Sequence, residues 1–181
     1  GTHRVFAEDH CSTMNSLFQI QLEIDARVRE IRTSRPDWLC GKGCDACCRR
    51  LADVPRLTAA EWGLLQVGLA ALPRRRLREI GSDVAALARR RSHPIVCPLL
   101  EQASGCCLVY DQRPLACRTY GFYVQRGIGL YCPDIEARVV AGDLADVVWG
   151  NQDVIDRSLA GLGQARALTE WFADRVEWPG S

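Results

Sequence analysis

Leu17, Ile20, Ile24, Val28 and Ile31 recur at steps of three and four, with Gln21, Glu23, Arg27 and Glu30 between them. That spacing is the apolar stripe of an amphipathic helix. It predicts a helix from Leu17 that Pro36 stops, just ahead of Trp38 and Leu39. Residues 49–56 carry no helical period and include Pro55, so they read as an extended run or loop. Thr58-Ala59-Ala60-Glu61 then forms a capping box, with Leu57 and Trp62 spaced as a hydrophobic staple, and opens a helix to about Leu72. Pro73 suits the first position of the next helix, whose apolar face is Leu77, Ile80, Val84 and Leu87. Gly81 weakens that helix by roughly 1 kcal/mol relative to alanine and marks a point where it could break.

His93-Pro94-Ile95-Val96-Cys97-Pro98 ends the helical stretch. Beyond it the pattern predicts a brief strand over Gly105 to Tyr110 and a turn at Asp111-Gln112-Arg113-Pro114. A hairpin follows from Phe122 to Tyr131, closing at Arg126-Gly127. Pro133 and Asp134 start a helix through about Val140. The tail from Gln152 to Val176 reads as helical with interruptions at Gly161 and Gly163, and its Trp171, Phe172 and Trp178 read as core packing. The whole is a mainly α fold, a small helical domain with a short β-hairpin.

Composition changes this picture little. Hydrophobic residues at 48% and charged residues at 25% are ordinary for a globular chain of 181 residues. No apolar run reaches signal-peptide or spanning length, which predicts a cytoplasmic protein without membrane partners. Of 23 basic residues 22 are arginine, Lys42 being the single lysine, and the net charge is +1. Seven arginines between Arg74 and Arg91 could bind phosphate, but near-neutral charge and the absence of interleaved aromatics make them a solvated helix face instead of a nucleic-acid surface. Met14 precedes the first clean helical pattern. Residues 14–181 therefore read as a single domain and Gly1 to Thr13 as an upstream remnant, which removes Cys11 from consideration.

The chemistry lies in ten cysteines. Cys40, Cys44, Cys47 and Cys48 fall within nine residues around Gly41 and Gly43, and Cys97, Cys106, Cys107, Cys117 and Cys132 follow after a cysteine-free span. Thiolates are soft ligands that select zinc, iron–sulfur clusters or cuprous copper, and tight turns aim closely spaced thiols at one centre. Neighbouring side chains such as those of Cys47 and Cys48 are expected to diverge, which points to two metals or two atoms of one cluster. Cys40-x3-Cys44-x2-Cys47 also has the spacing of radical S-adenosylmethionine enzymes. That family usually has an aromatic where this chain has Ala46, and no alternating strands and helices are present to build its barrel. A redox pair at Cys44 and Cys47 lacks the strand-helix-strand context that would support it.

The first cluster, together with Tyr110-Asp111-Gln112-Arg113-Pro114-Leu115-Ala116-Cys117-Arg118, resembles the CxxCxxCC, or YkgJ-like, cysteine-cluster family of zinc- or iron-chelating domains. The resemblance implies eight metal ligands: Cys40, Cys44, Cys47, Cys48, Cys97, Cys107, Cys117 and Cys132. It prefers Cys107 to Cys106 because Cys107 stands three residues before Tyr110. The first gap is three residues where the family name has two. His93 reads as a surface histidine before a proline. Arg113, Arg118 and Tyr110 could offset the charge of a thiolate-rich centre or simply hold the turn.

Two outcomes remain open for the metal. Zinc would give two closed four-thiolate sites, whereas iron would give a sulfide-containing cluster, mildly favoured by the prolines after Cys97 and Cys132. The function expected is metal binding, with zinc or iron as cofactor and no protein partner indicated. The alternative implied by the resemblance is an iron-dependent enzyme, in methyl transfer or redox chemistry, related to flagellin lysine N-methylation. The chain has no glycine-rich strand-to-helix turn for a methyl-donor nucleotide and no evident general base.

Overall fold

The computed structural model describes residues 2–90 and 92–175, with side chains described from residue 12 onward. Arg91, Trp178 and the Cys11 side chain therefore lie outside the described residues. The fold is mainly α with a few short strands, as the periodicity predicts. Among the described residues no helix is long and apolar enough to cross a membrane. Two compact units make up the chain, each assembled from separate segments.

One unit comprises the residues up to Leu39, Thr58–Ala60 and Leu115–Gln164. Its long helix α1 (Thr2–Ser34) buries Leu17, Ile20, Ile24 and Ile31, the stripe read from the sequence, and α4 (Leu115–Thr119) packs on it. The helix starts well upstream of Leu17, so the backbone before Met14 is helical too. Strands β4 (Tyr123–Gln125) and β5 (Ile128–Leu130) form the expected hairpin. Its two turn residues, Arg126 at φ 49° and Gly127 at φ 77°, adopt the left-handed conformation that matches strand twist in a two-residue turn. The pairing of β6 (Gly150–Asn151) parallel to β4 was not predicted, since two residues are too few to show an alternation. Helices α5 (Pro133–Val140) and α6 (Gln152–Ala160) complete the unit. Trp38 stacks on Phe122 with ring centroids 5.9 Å apart, and its indole N–H donates to the Gly121 carbonyl at 3.2 Å.

The second unit comprises Cys40–Leu57, Glu61–Pro114 and the chain from Ala165. Its core holds Leu57, Trp62, Leu65, Leu69, Leu77, Ile80, Val84, Leu99, Leu100, Val109 and Leu168. Helix α2 (Ala59–Ala70) begins at the expected cap, where Thr58 and Glu61 are both buried. In α3 (Arg74–Arg89) Pro73 is the residue before the first helical one, and the helix runs through Gly81 without a break. Arg75 and Arg76 pair with Glu79, and Arg76 also pairs with Glu101, so part of the arginine face is already compensated. The predicted strand at Gly105 shrinks to β3 (Cys106–Cys107), paired with β2 (Leu100–Glu101), because a 3-10 turn starts at Tyr110.

The C-terminal segment returns to this core. Strand β7 (Arg166–Ala167) pairs antiparallel with β1 (Arg56–Leu57), and α7 (Leu168–Ala173) packs on α3. Trp171 and Phe172 meet Trp62 at centroid distances of 5.9 and 5.3 Å, the core role expected of them. The Trp171 indole N–H donates to the Leu57 carbonyl at 2.9 Å. Because Leu65 is fully buried in this cluster, Leu65→Ala is expected to lower unfolding stability by roughly 2–5 kcal/mol through lost contacts and a cavity, measured by denaturant melts.

Candidate metal centre

The first cysteine cluster is a succession of tight turns. The Cys44 amide donates to the Gly41 carbonyl at 3.0 Å, and that of Arg49 to the Asp45 carbonyl at 3.0 Å. Gly43, at φ 91°, supplies a backbone conformation that side chains rarely adopt. In this turn Cys47 and Cys48 do not diverge: their Sγ atoms stand 3.8 Å apart, which corrects the expectation drawn from their adjacency. A turn rotates successive side chains toward one side, whereas the expected divergence belongs to an extended strand.

The next segment to arrive is the one that carries Cys97. Leu51 and Ile95 exchange two backbone hydrogen bonds of 2.9 Å, and the Cys97 amide donates to the Cys48 carbonyl at 2.7 Å. This antiparallel crossing sets Cys97 against Cys48. The β2–β3 hairpin then pairs Leu100 with Cys107 and Glu101 with Cys106. Successive residues of a strand face opposite ways, so only one of the two cysteines can face inward. Cys107 packs against the core, while the Cys106 Sγ sits 3.8 Å from the Ser104 carbonyl in its own turn.

Further contacts clamp the first loop to this hairpin. The Arg49 guanidinium donates to the Asp45 carboxylate at 2.5 Å and to the Gln102 carbonyl at 2.9 Å. Gly105, at φ 69°, lies so close that a Cβ there would stand 3.1 Å from an Asp45 carboxylate oxygen and 3.2 Å from the Gly43 carbonyl. Tyr110 carries two cations: Arg113 lies 3.6 Å from its ring centroid and Lys42, from the first loop, 5.4 Å. Arg113 also donates to the Tyr110 carbonyl at 3.0 Å, which makes it a brace of the 3-10 turn. Sequence reasoning missed Lys42, Asp45, Arg49 and Gln102. The i,i+4 spacing of Asp45 and Arg49 was a readable signal; the acceptor on Gln102 is backbone and carries none.

Electrostatics describe four thiols that share one neighbourhood. Hydrogen bonding to Cys48, then burial and the nearby Cys48 charge, hold Cys47 far above the ordinary thiol range. For Cys48 the hydrogen bond with Cys47 pulls downward. Hydrogen bonding to Cys97, burial and the charges of Cys97 and Cys107 outweigh it and push the thiol up to about 12. Burial likewise raises Cys107, against a lowering by a backbone hydrogen bond from Val109 and, after it, by Arg113. Burial and mutual proximity thus hold Cys47, Cys48 and Cys107 toward the neutral thiol, and a cation is the natural agent to displace their protons.

The remaining expected ligands are placed as follows. Cys40 is half-buried and Cys44 exposed in the first loop. Cys117 on α4 and Cys132, the residue capping α5, belong to the other unit. Arg118 pairs with Asp25 at 3.5 Å in that unit, and His93 is exposed, as expected of a surface histidine. None of the nine described cysteines forms a disulfide. Among the described residues no three His, Cys, Asp or Glu side chains stand at the spacing of a completed metal site. A soft metal ion nevertheless fits the donor set. Two sulfurs on one zinc, each at about 2.3 Å in a tetrahedron, are separated by about 3.8 Å, the spacing of Cys47 and Cys48.

Comparison with known proteins adds one match. The profile of the CxxCxxCC family, described as a "Putative zinc- or iron-chelating domain", matches residues 39–137, more than half of the chain. No curated protein and no solved structure matches. The clamp generates a prediction: Gly105→Ala is expected to destabilise the second unit by about 1–2 kcal/mol, since it adds left-handed strain and a crowded Cβ. Thermal melts monitored by circular dichroism check this, with Gly127→Ala in the open hairpin turn as the comparison that carries the strain without the crowding.

Proposed function

The chain belongs to the CxxCxxCC family, and from that premise we propose that it is a metal-binding protein that chelates zinc or iron through Cys40, Cys44, Cys47, Cys48, Cys97, Cys107, Cys117 and Cys132. The observation that carries this reading is the approach of the Cys47 and Cys48 sulfurs to 3.8 Å, with the Cys97 backbone hydrogen-bonded to that of Cys48 at 2.7 Å. Buried cysteines that serve only as small apolar side chains have no reason to gather thiols in a glycine-containing turn. Eight thiolates would suffice for about two closed four-thiolate sites. A reduced, cytoplasmic setting belongs to the same proposal, because it keeps thiols available to a metal.

The spacing also bears on the form of the metal. A four-iron cluster takes one thiolate per iron, whereas sulfurs 3.8 Å apart suit two ligands on one atom. Zinc, a single iron and a two-iron cluster all meet that condition. No feature of the described residues favours the methyl-transfer alternative over chelation.

Anaerobic purification followed by elemental analysis, visible spectroscopy and sulfide assay tests the reading. Bound zinc or iron is expected, and a chain that takes up neither, even on reconstitution, rejects it. Cys47→Ser and Cys117→Ser are each expected to lower the metal content, and Cys11→Ser to leave it unchanged. Full metal in both of the first two variants would remove the ligand assignment.

A further inference from the structure

Helix α3 and residues 96–103 leave an open groove between them in the second unit. Two cavities of about 210 and 270 Å³ lie end to end in it and share Asp83, Pro98, Leu100 and Gln102, so they form one continuous trough. Its floor is apolar, with Ile80, Pro98 and Leu100 buried. Its wall on α3 is a single helical stripe at steps of three and four: Arg76, Glu79, Asp83, Ala86 and Arg90.

The charges along that stripe are unequally used. Arg76, at one end, is engaged by Glu79 and Glu101. Among the described residues Asp83, exposed at the middle, pairs with no cation, and Arg90, exposed at the far end, pairs with no carboxylate. The Arg90 Nε donates to the neutral Ser92 hydroxyl at 2.7 Å, which leaves its charge uncompensated.

We propose that this trough binds an extended segment of a partner protein, in the polyproline II form, that carries a basic side chain for Asp83 and, three residues away, an acidic one for Arg90. Length, shape and charge converge on that occupant. At 1.5 Å per helical residue, Arg76 to Arg90 spans about 21 Å, the length of roughly seven residues of polyproline II. Asp83 to Arg90 spans about 10 Å, close to the ~9 Å between residues i and i+3 of that form, which face the same way. A β-strand sends residues three apart to opposite sides. Neither cavity alone reaches the roughly 300 Å³ at which small-molecule pockets begin, so a narrow occupant that continues from one into the other fits better than a compact one. The two uncompensated charges also fix register, since the reversed order would set like against like. Cys97 borders the same trough, so a segment docked there lies beside the candidate centre.

The test is selection of phage-displayed random heptapeptides on the immobilised full-length chain, followed by fluorescence-anisotropy titration of the synthesised consensus peptide. A basic residue three positions from an acidic one is expected to be enriched over the unselected library. Asp83→Lys and Arg90→Glu are each expected to weaken binding of the consensus peptide by at least about tenfold. The double variant Asp83→Lys/Arg90→Glu is expected to bind instead the peptide with its two charges exchanged. Circular dichroism establishes that each variant is folded, and two single variants keep the test decisive if one of them unfolds. Absence of an enriched charge pair overturns the proposal, as does a consensus peptide that binds the double variant as tightly as the wild-type chain. Displacement of that peptide by spermidine at equal concentration overturns it too, because the trough would then serve small polyamines. So does a wild-type dimer in size-exclusion chromatography that Asp83→Lys splits, since the occupant would be a second copy. None of these readouts involves a metal, so failure here leaves the chelation reading standing.

Discussion

The antiparallel crossing of two short segments, at Cys48 to Leu51 and Ile95 to Cys97, is the constraint on which the candidate centre depends. Three backbone hydrogen bonds of 2.7–2.9 Å bring together residues that are roughly 50 positions apart, so the crossing must offset the entropy of closing that loop. It does not do so unaided. Helices α2 and α3 fill the loop and bury Leu65, Leu69, Leu77, Ile80 and Val84 against Leu57 and Leu168, and this apolar burial holds the crossing in place. Cys97 is itself a core residue, 9% exposed, so the hydrophobic cluster and the thiol group share a wall.

That shared wall ties the position of Cys97 to apolar packing as well as to the backbone crossing. A small domain held mainly by its metal has no folded state without it, but the second unit has a core of its own. Two ionised sulfurs 3.8 Å apart at Cys47 and Cys48 would repel one another in a half-buried setting, whereas two thiols can hydrogen-bond. Arg113 and Lys42 both lie over the Tyr110 ring, which draws two cations to the unit that carries these thiols.

How much of this was legible in the sequence follows from the range of each interaction. Helices announced themselves through local period, and the Leu17 to Ile31 stripe is buried as read, with only Val28 partly exposed. The hairpin at Arg126-Gly127 was legible because its turn chemistry is local. Strands β1, β2, β3, β6 and β7 are two residues each, too short for alternation to register, and β1, β6 and β7 each owe their existence to a partner far along the chain. The cysteines of the first loop were plain, but the approach of the Cys47 and Cys48 sulfurs depends on turn torsions that spacing alone does not encode. Arg118 illustrates the same limit, since its carboxylate partner Asp25 is 93 positions away.

The return of β7 and α7 to the second unit has a consequence for how the protein is made. Leu168 is fully buried beside Leu57, and the Arg56–Ala167 pairing joins residues more than a hundred positions apart. On the ribosome, every cysteine of the thiol group emerges long before the strand and helix that seal its core. The nascent chain therefore passes through a period in which its sulfurs lie outside a closed core, and that core closes around them only once β7 and α7 dock.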